Sequence, residues 1–193
     1  MAQTGIKEPE KQRQIQRIAQ QANDLIERMA TIIWAMNTRN DTFESLTNYL
    51  HDFGIDFFDN IGINSHYSIE EMDPSVTQQI IVGETRRQIF LTFKEILNNI
   101  VKHAAATTVT IIITLTKNGF EIRIIDNGNG FDDADTEGSL EPIKPKPSPR
   151  NGNGGNGLRN MKERMAAIGG TFQIFSEKNK GTTVILQIPI NQS

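Results

Sequence analysis

Residues 107–126 read TTVTIIITLTKNGFEIRIID, and their alternation decides the architecture. Val109, Ile111, Ile113 and Leu115 fall on one side of an extended chain and threonines largely on the other, the pattern of a strand with one buried face. Asn118-Gly119 is the turn signal of a tight hairpin, and Phe120, Ile122 and Ile124 alternate back toward Asp126. Upstream, the spacing predicts a helix from about Glu84 to Ala104, a break at Asp73-Pro74 and a short strand within 61–70. Downstream, Leu158, Met161, Met165 and Ile168 mark a short amphipathic helix stopped by Gly169-Gly170. Two further strands are expected around Phe172–Phe175 and Thr183–Ile190, joined by a Lys-Gly turn. One sheet with its helices on a single side packs these elements most economically, an α+β class.

The remaining chain is uneven. Residues 128–157 hold seven of the fifteen glycines and residues 142–149 four of the seven prolines, so this segment forms neither helix nor sheet ladder. A loop this long within a compact domain is generally either a functional lid or a disordered linker. At the other end, Ile15, Ile18, Ala22, Leu25, Met29, Ile32 and Met36 recur at spacings of three and four, a heptad seam on one long helix. A lone helix cannot bury such a stripe and needs a partner, most simply the same helix of a second chain. Asn37-Thr38-Arg39-Asn40-Asp41 is a polar turn, with Asp41 or Asn40 expected to cap a second helix that carries Phe43, Leu46, Leu50 and Phe53 and ends at Gly54.

The 193 residues carry 20 Lys+Arg against 23 Asp+Glu, a net charge of −3, and no cysteine. The cysteine count excludes a disulfide framework, a thiol nucleophile and any Cys-ligated metal. Mild acidity gives no support for nucleic-acid binding, which leaves a basic footprint. No apolar run approaches the ~18 residues that cross a bilayer, and the first residues lack an apolar signal core. A soluble, cytoplasmic chain is expected, with membrane attachment only through a longer parent.

Three stretches could carry chemistry. On a 3.6-residue period Phe90, Phe93, Leu97, Ile100, Val101 and Ala104 share one side of the third helix, and Glu95, Asn99, Lys102 and His103 the other. A solvated face is the bland reading. Against it, Asn98-Asn99 is a poor mid-helix choice, and a carboxylate, an amide oxygen and cationic heads in one line suit Mg²⁺ and phosphate. Asp126 points to the side of Ile122 and Ile124. If that side is the core, its carboxylate must find a donor. An Asx-turn before Asn-Gly is the ordinary alternative. Gly128 and Gly130 follow it, so the backbone can approach a flat ligand, and an acid beside a glycine-lined wall suits a purine with an exocyclic amine. Finally, Gly152-Asn153-Gly154-Gly155-Asn156-Gly157-Leu158 runs into a helix whose free N–H groups form an anion site; a flexible linker is the alternative.

In order and spacing, KEILNNIVKHA (94–104), DNGNGF (126–131), GNGLRNMKERM (155–165) and GTTVIL (181–186) resemble the N, G1 and G2 boxes and final strand of the GHKL ATPase superfamily, most closely the bacterial sensor histidine kinases of the NarL type. The resemblance covers about residues 85–190. It implies a Bergerat-type two-layer α/β sandwich: a mixed, mostly antiparallel sheet with helices on one face, preceded here by a long N-terminal helix. It also implies ATP and Mg²⁺ as cofactors, with Asp126 accepting from the adenine amine and Asn99 ligating Mg²⁺. Glu95 would polarise or deprotonate the nucleophile, and Lys102 and His103 would lie near the phosphates. Gly128, Gly130, Gly155, Gly157 and Leu158 would shape the pocket, Thr182 would reach the nucleotide, and residues 132–154 would form the lid.

The N-terminal residues extend the likeness. DLIERMATIIWAMNTRNDTFESLTNYL (24–50) resembles the second helix of a dimerisation and histidine-phosphotransfer hairpin, with Thr38 where the family usually has proline. The expected division is therefore 1–54, a partial dimerisation segment, and 55–193, the ATP-binding catalytic domain. The phosphoacceptor histidine of the family lies on the hairpin's first helix, outside this sequence; His51, His66 and His103 do not match it. The implied activity is transfer of the ATP γ-phosphoryl to that histidine, with a homodimer through the N-terminal helix, a response regulator and the phosphoacceptor helix as partners. A nucleotide-dependent interaction protein or an anti-sigma-factor-like serine kinase shares the pocket but normally lacks the heptad helix. A gyrase-like or mismatch-repair ATPase would call for a transducer domain.

Overall fold

The computed structural model describes residues 8–71, 80–116, 119–131 and 156–189. Helix α1 (Glu8–Met36) is followed by a single 3-10 turn (Thr38–Asn40), α2 (Phe43–Asp59), β1 (Asn64–Glu71) and α3 (Gly83–Asn99), which continues as a π-helical turn (Ile100–Ala104). Strands β2 (Thr108–Thr116) and β3 (Gly119–Asp126), helix α4 (Asn156–Ala167) and strands β4 (Thr171–Glu177) and β5 (Gly181–Pro189) complete the chain. The strands form one sheet in the order β1-β2-β3-β5-β4; β1 runs parallel to β2 and every other pair is antiparallel. The structure thus has the mixed, mostly antiparallel sheet anticipated from the sequence.

One face of that sheet is the core. Val109, Ile111, Ile113 and Leu115 of β2, Phe120, Ile122 and Ile124 of β3, and Val184, Leu186 and Ile188 of β5 are buried against Leu46, Leu50 and Phe58 of α2, Ile89, Phe93 and Leu97 of α3, and Met161 and Met165 of α4. Each fully buried Leu, Ile or Phe contributes about 1.5–3 kcal/mol through removal from water. The opposite face carries half-exposed Thr110, Ile112 and Thr114.

Two details differ from the sequence reading. Thr42, not Asp41 or Asn40, caps α2, its hydroxyl accepting the Ser45 N–H at 3.1 Å. Gly54 does not end that helix, which runs on to Asp59; it is buried within α2 beside Phe93 and Ile111. The expected division at 54/55 therefore falls inside α2, whose apolar side belongs to the sheet's core. Packing changes at residues 37–41, between α1 and α2.

Asp41 is engaged elsewhere. Arg86 of α3 has no exposed side-chain surface, and its Nη2 lies 2.7 Å from Asp41 Oδ1. The same nitrogen donates to the Ala35 carbonyl at 2.5 Å and the Asn37 carbonyl at 3.3 Å, two acceptors left over at the end of α1. The guanidinium lies 5.2 Å from the centroid of the Trp34 ring, which stacks on Tyr49 at 4.0 Å. Burial lowers the pKa of this guanidinium, and the Asp41 charge opposes the shift. Gly83 completes the clamp: a Cβ there would strike the Ala35 carbonyl. Thr31 and Ala35 are buried in this contact, whereas seam residues Ile15, Ile18, Leu25, Met29, Ile32 and Met36 are exposed. Among the described residues no helix is long and apolar enough to cross a membrane.

Candidate functional site

At the end of β3 the core face turns polar. Asp126 continues the inward alternation of Ile122 and Ile124 and is 4% exposed. It sits in register between Val109 of β2 and Thr182 of β5. Its Oδ1 accepts the Gly128 N–H at 2.8 Å, so the Asx-turn foreseen as the ordinary alternative is present and the carboxylate is buried as well. Burial pushes this carboxyl above the usual carboxylate range, and the backbone N–H groups of Gly128 and Thr182 pull it partly back. A carboxylate offers about four acceptor positions, and two backbone donors do not fill them.

The loop after Asp126 is fixed on three sides. Asn127 Oδ1 accepts the N–H groups of Thr107 and Thr108 at 3.0 and 2.9 Å, while its Nδ2 donates to the Thr107 hydroxyl at 2.9 Å. The Asn129 N–H donates to the Ala104 carbonyl at 2.7 Å, and its own carbonyl accepts the Asn179 N–H at 2.6 Å. Glycine is required at two positions: a Cβ on Gly128 would strike the Ala104 carbonyl, and Gly130, at φ +55°, would strike the Glu177 carbonyl. The loop ends where the Phe131 N–H donates to Ser176 Oγ at 2.9 Å.

Asp126 opens onto a cleft of about 210 Å³. Its walls are apolar, formed by Ile96 and Ile100, Leu158 and Met161 of α4, and Ile174 and Val184 of the last strands. Asn99, His103, Asp126 and Thr182 supply the polar positions. Apolar walls with a few convergent polar groups are the usual make-up of a small-molecule site. α4 begins at the cleft, with Gly157 on its wall and the positive end of the helix dipole beside it.

Of the residues singled out from sequence, the fold brings Asn99, His103, Asp126, Gly130, Gly157, Leu158 and Thr182 to this one cleft. Glu95 stands at its edge, with Oε1 3.3 Å from where a Cβ on Gly157 would be. Gly128 lies behind Asp126, against Ala104. Lys102 is exposed and is not part of the wall. Within the π-helical turn Ile100 and Ala104 stay buried and His103 reaches the cleft, while Val101, expected on the apolar side, is 40% exposed. Gly155 and the 132–154 stretch lie outside the described residues. Sequence reasoning missed Asn127 and Ser176. The Asp-Asn pair was a usable signal for the first; nothing local distinguishes the second.

Residues 84–192 match the family described as histidine kinase-, DNA gyrase B-, and HSP90-like ATPase. The chain is 30% identical over 102 residues to the sensor histidine kinase LiaS of Bacillus subtilis (strain 168), covering 53% of this chain and 24% of that protein. It is 28% identical over 163 residues to the oxygen sensor histidine kinase NreB of Staphylococcus carnosus (strain TM300), covering 80% of this chain and 42% of that protein. In fold it is similar to the Acinetobacter baumannii histidine kinase AdeS, with a TM-score of 0.58 at 16% identity over 97% of this chain and 87% of that one. The chain spans less than half the length of the curated relatives it matches.

Proposed function

The chain belongs to the histidine kinase-, DNA gyrase B-, and HSP90-like ATPase family, and from that premise we propose that it is the ATP-binding catalytic part of a two-component sensor histidine kinase. The observation that carries this reading is Asp126: a carboxylate with 4% exposure, with acceptor capacity left over, at the end of an apolar cleft. An exocyclic amine on a flat base satisfies such an acceptor, and adenine presents one.

The residues around the cleft divide the remaining work. Leu158, Met161 and Ile174 pack on the base, and Thr182 adds a hydroxyl beside Asp126. The start of α4, with Gly157 and, in this reading, Gly155, offers N–H groups to phosphate oxygens. His103 and the exposed ammonium of Lys102 offset phosphate charge. Asn99 presents an amide oxygen to Mg²⁺. The described residues hold no group of three or more acidic, His or Cys side chains placed to hold a metal ion by themselves, and this donor set suits Mg²⁺ carried by a triphosphate, which keeps several waters and takes one or two protein ligands. Bound Mg-ATP supplies the transferable phosphoryl group. Glu95, at the cleft's edge, accepts the N–H of the incoming imidazole and orients its other nitrogen for attack. Catalysis then rests on positioning and charge neutralisation. The exposed stripe of α1 supports a homodimer, with the phosphoacceptor helix of a longer parent and a response regulator as partners.

Calorimetric titration of the wild type and Asp126→Asn with Mg-ATP tests the reading. Loss of the charge-assisted acceptor removes about 1.5–3 kcal/mol, roughly a ten- to hundredfold weaker Kd. Equal affinity of the two proteins, or no preference for ATP over GTP in the wild type, would overturn it.

A further inference from the structure

Asp126 does not stand alone on its row of the sheet. Register places Ser176 of β4 opposite Thr182 of β5, and Thr182 opposite Asp126 of β3. Three polar side chains thus cross the end of an otherwise apolar face, and only the outer one, Ser176, is absent from the cleft wall. Ser176 Oγ accepts the Phe131 N–H at 2.9 Å and lies 3.2 Å from the Gly181 carbonyl and 3.0 Å from Thr182 Oγ1.

A serine hydroxyl has one proton to give and two lone pairs to fill. The Gly181 carbonyl can only accept. If Ser176 gives its proton to that carbonyl, Thr182 must give its own proton to Ser176 Oγ, and all three contacts are satisfied together. If Ser176 instead donates to Thr182, the Gly181 contact is left without a proton. The first arrangement is complete; it leaves Thr182 Oγ1 with lone pairs alone toward the cleft.

We propose that Ser176 is a specificity-determining positioning residue: by taking the Thr182 proton it fixes that hydroxyl as an acceptor beside the Asp126 carboxylate. This deepens the nucleotide-site reading above and rests on it. Two neighbouring acceptors recognise a purine bearing an amine at position 6, directly or through water. They repel a purine with a carbonyl there, which needs a donor. Without Ser176 Oγ, the Thr182 hydroxyl is free to turn and donate, and it then tolerates the 6-oxo group.

The experiment compares Mg-ATP with Mg-ITP, which replaces the 6-amine by a carbonyl and the N1 lone pair by an N–H, on the full chain by calorimetry. Wild type favours ATP. In Ser176→Ala the ATP/ITP affinity ratio falls about two- to tenfold, the worth of one neutral hydrogen bond, with ITP binding held or improved. Ser176→Thr keeps the hydroxyl and restores the ratio. Thermal melts of each variant separate this effect from a fold defect, since loosening of the site weakens both nucleotides alike and leaves the ratio unchanged. An unchanged ratio in Ser176→Ala, with the wild type still binding ATP, overturns this proposal alone. A wild type that binds neither nucleotide overturns the site reading and the proposal with it.

Discussion

Replacing Asp41 with asparagine removes the counter-charge from a guanidinium that has no contact with solvent. Arg86 would keep the Ala35 and Asn37 carbonyls and the Trp34 ring, and the backbone bond from Ile81 N–H to the Asp41 carbonyl at 2.9 Å would survive. What is lost is the 2.7 Å charge pair. Breaking a fully buried pair from one side costs about 3–5 kcal/mol. The Asp41 side chain is 27% exposed, so water screens part of the field and the expected loss is about 2–3 kcal/mol. Arg86→Met removes the cation instead and leaves two helix-end carbonyls short of a donor. The double variant, Asp41→Asn with Arg86→Met, should be less damaged than the two single losses added, by about 1–3 kcal/mol, because the residual costs of the halves are shared. Urea unfolding at one fixed protein concentration measures all four proteins, a precaution the exposed α1 stripe makes necessary. Strict additivity, or a loss under about 0.5 kcal/mol for Asp41→Asn, would refute the view that this pair holds α1 to the body.

The Asp126 carboxyl is pushed up by burial, so the fold binds its proton more readily than the unfolded chain does. Stability from this group is full below the ordinary carboxylate pKa and is lost as pH rises through the raised folded value. Asp126→Asn should therefore melt higher than wild type at neutral pH without nucleotide, and the gap should close toward pH 4; a variant less stable at neutral pH contradicts the assignment. Gly128→Ala drives a Cβ into the Ala104 carbonyl and should cost about 1–3 kcal/mol. It should also weaken Mg-ATP binding through displacement of Asp126, so a variant with wild-type Tm and affinity would show that the close approach is not needed.

The antiparallel pairing of β2 with β3 and the inward aim of Asp126 were legible because period-two alternation is local and strong, from Val109 through Ile124, while the turn expected at Asn118-Gly119 lies partly outside the described residues. The order of motifs then located most of the cleft wall. The boundary between segments was not legible: α1 and α2 both carry apolar residues at spacings of three and four, and spacing does not say which partner covers them. Asp41 reads as a cap by type and is a counter-ion by position, since its partner Arg86 is far along the chain on α3. The π-helical turn has no marker in Ile100–Ala104, and the exposure of Val101 within it is not legible from a 3.6-residue period. Ser176 acquires its role only through strand register.

Every residue between 10 and 30 whose side chain is described is exposed, and α1 meets the body through Thr31, Trp34 and Ala35. Twenty-nine residues of helix extend about 43 Å at ~1.5 Å each. The helix is therefore a lever with its fulcrum at Arg86. A tilt of about 10° at the fulcrum sweeps the far tip through roughly 7 Å. Arg86 belongs to α3, so the point that holds this long arm lies on the same rod on which Glu95 and Asn99 are mounted.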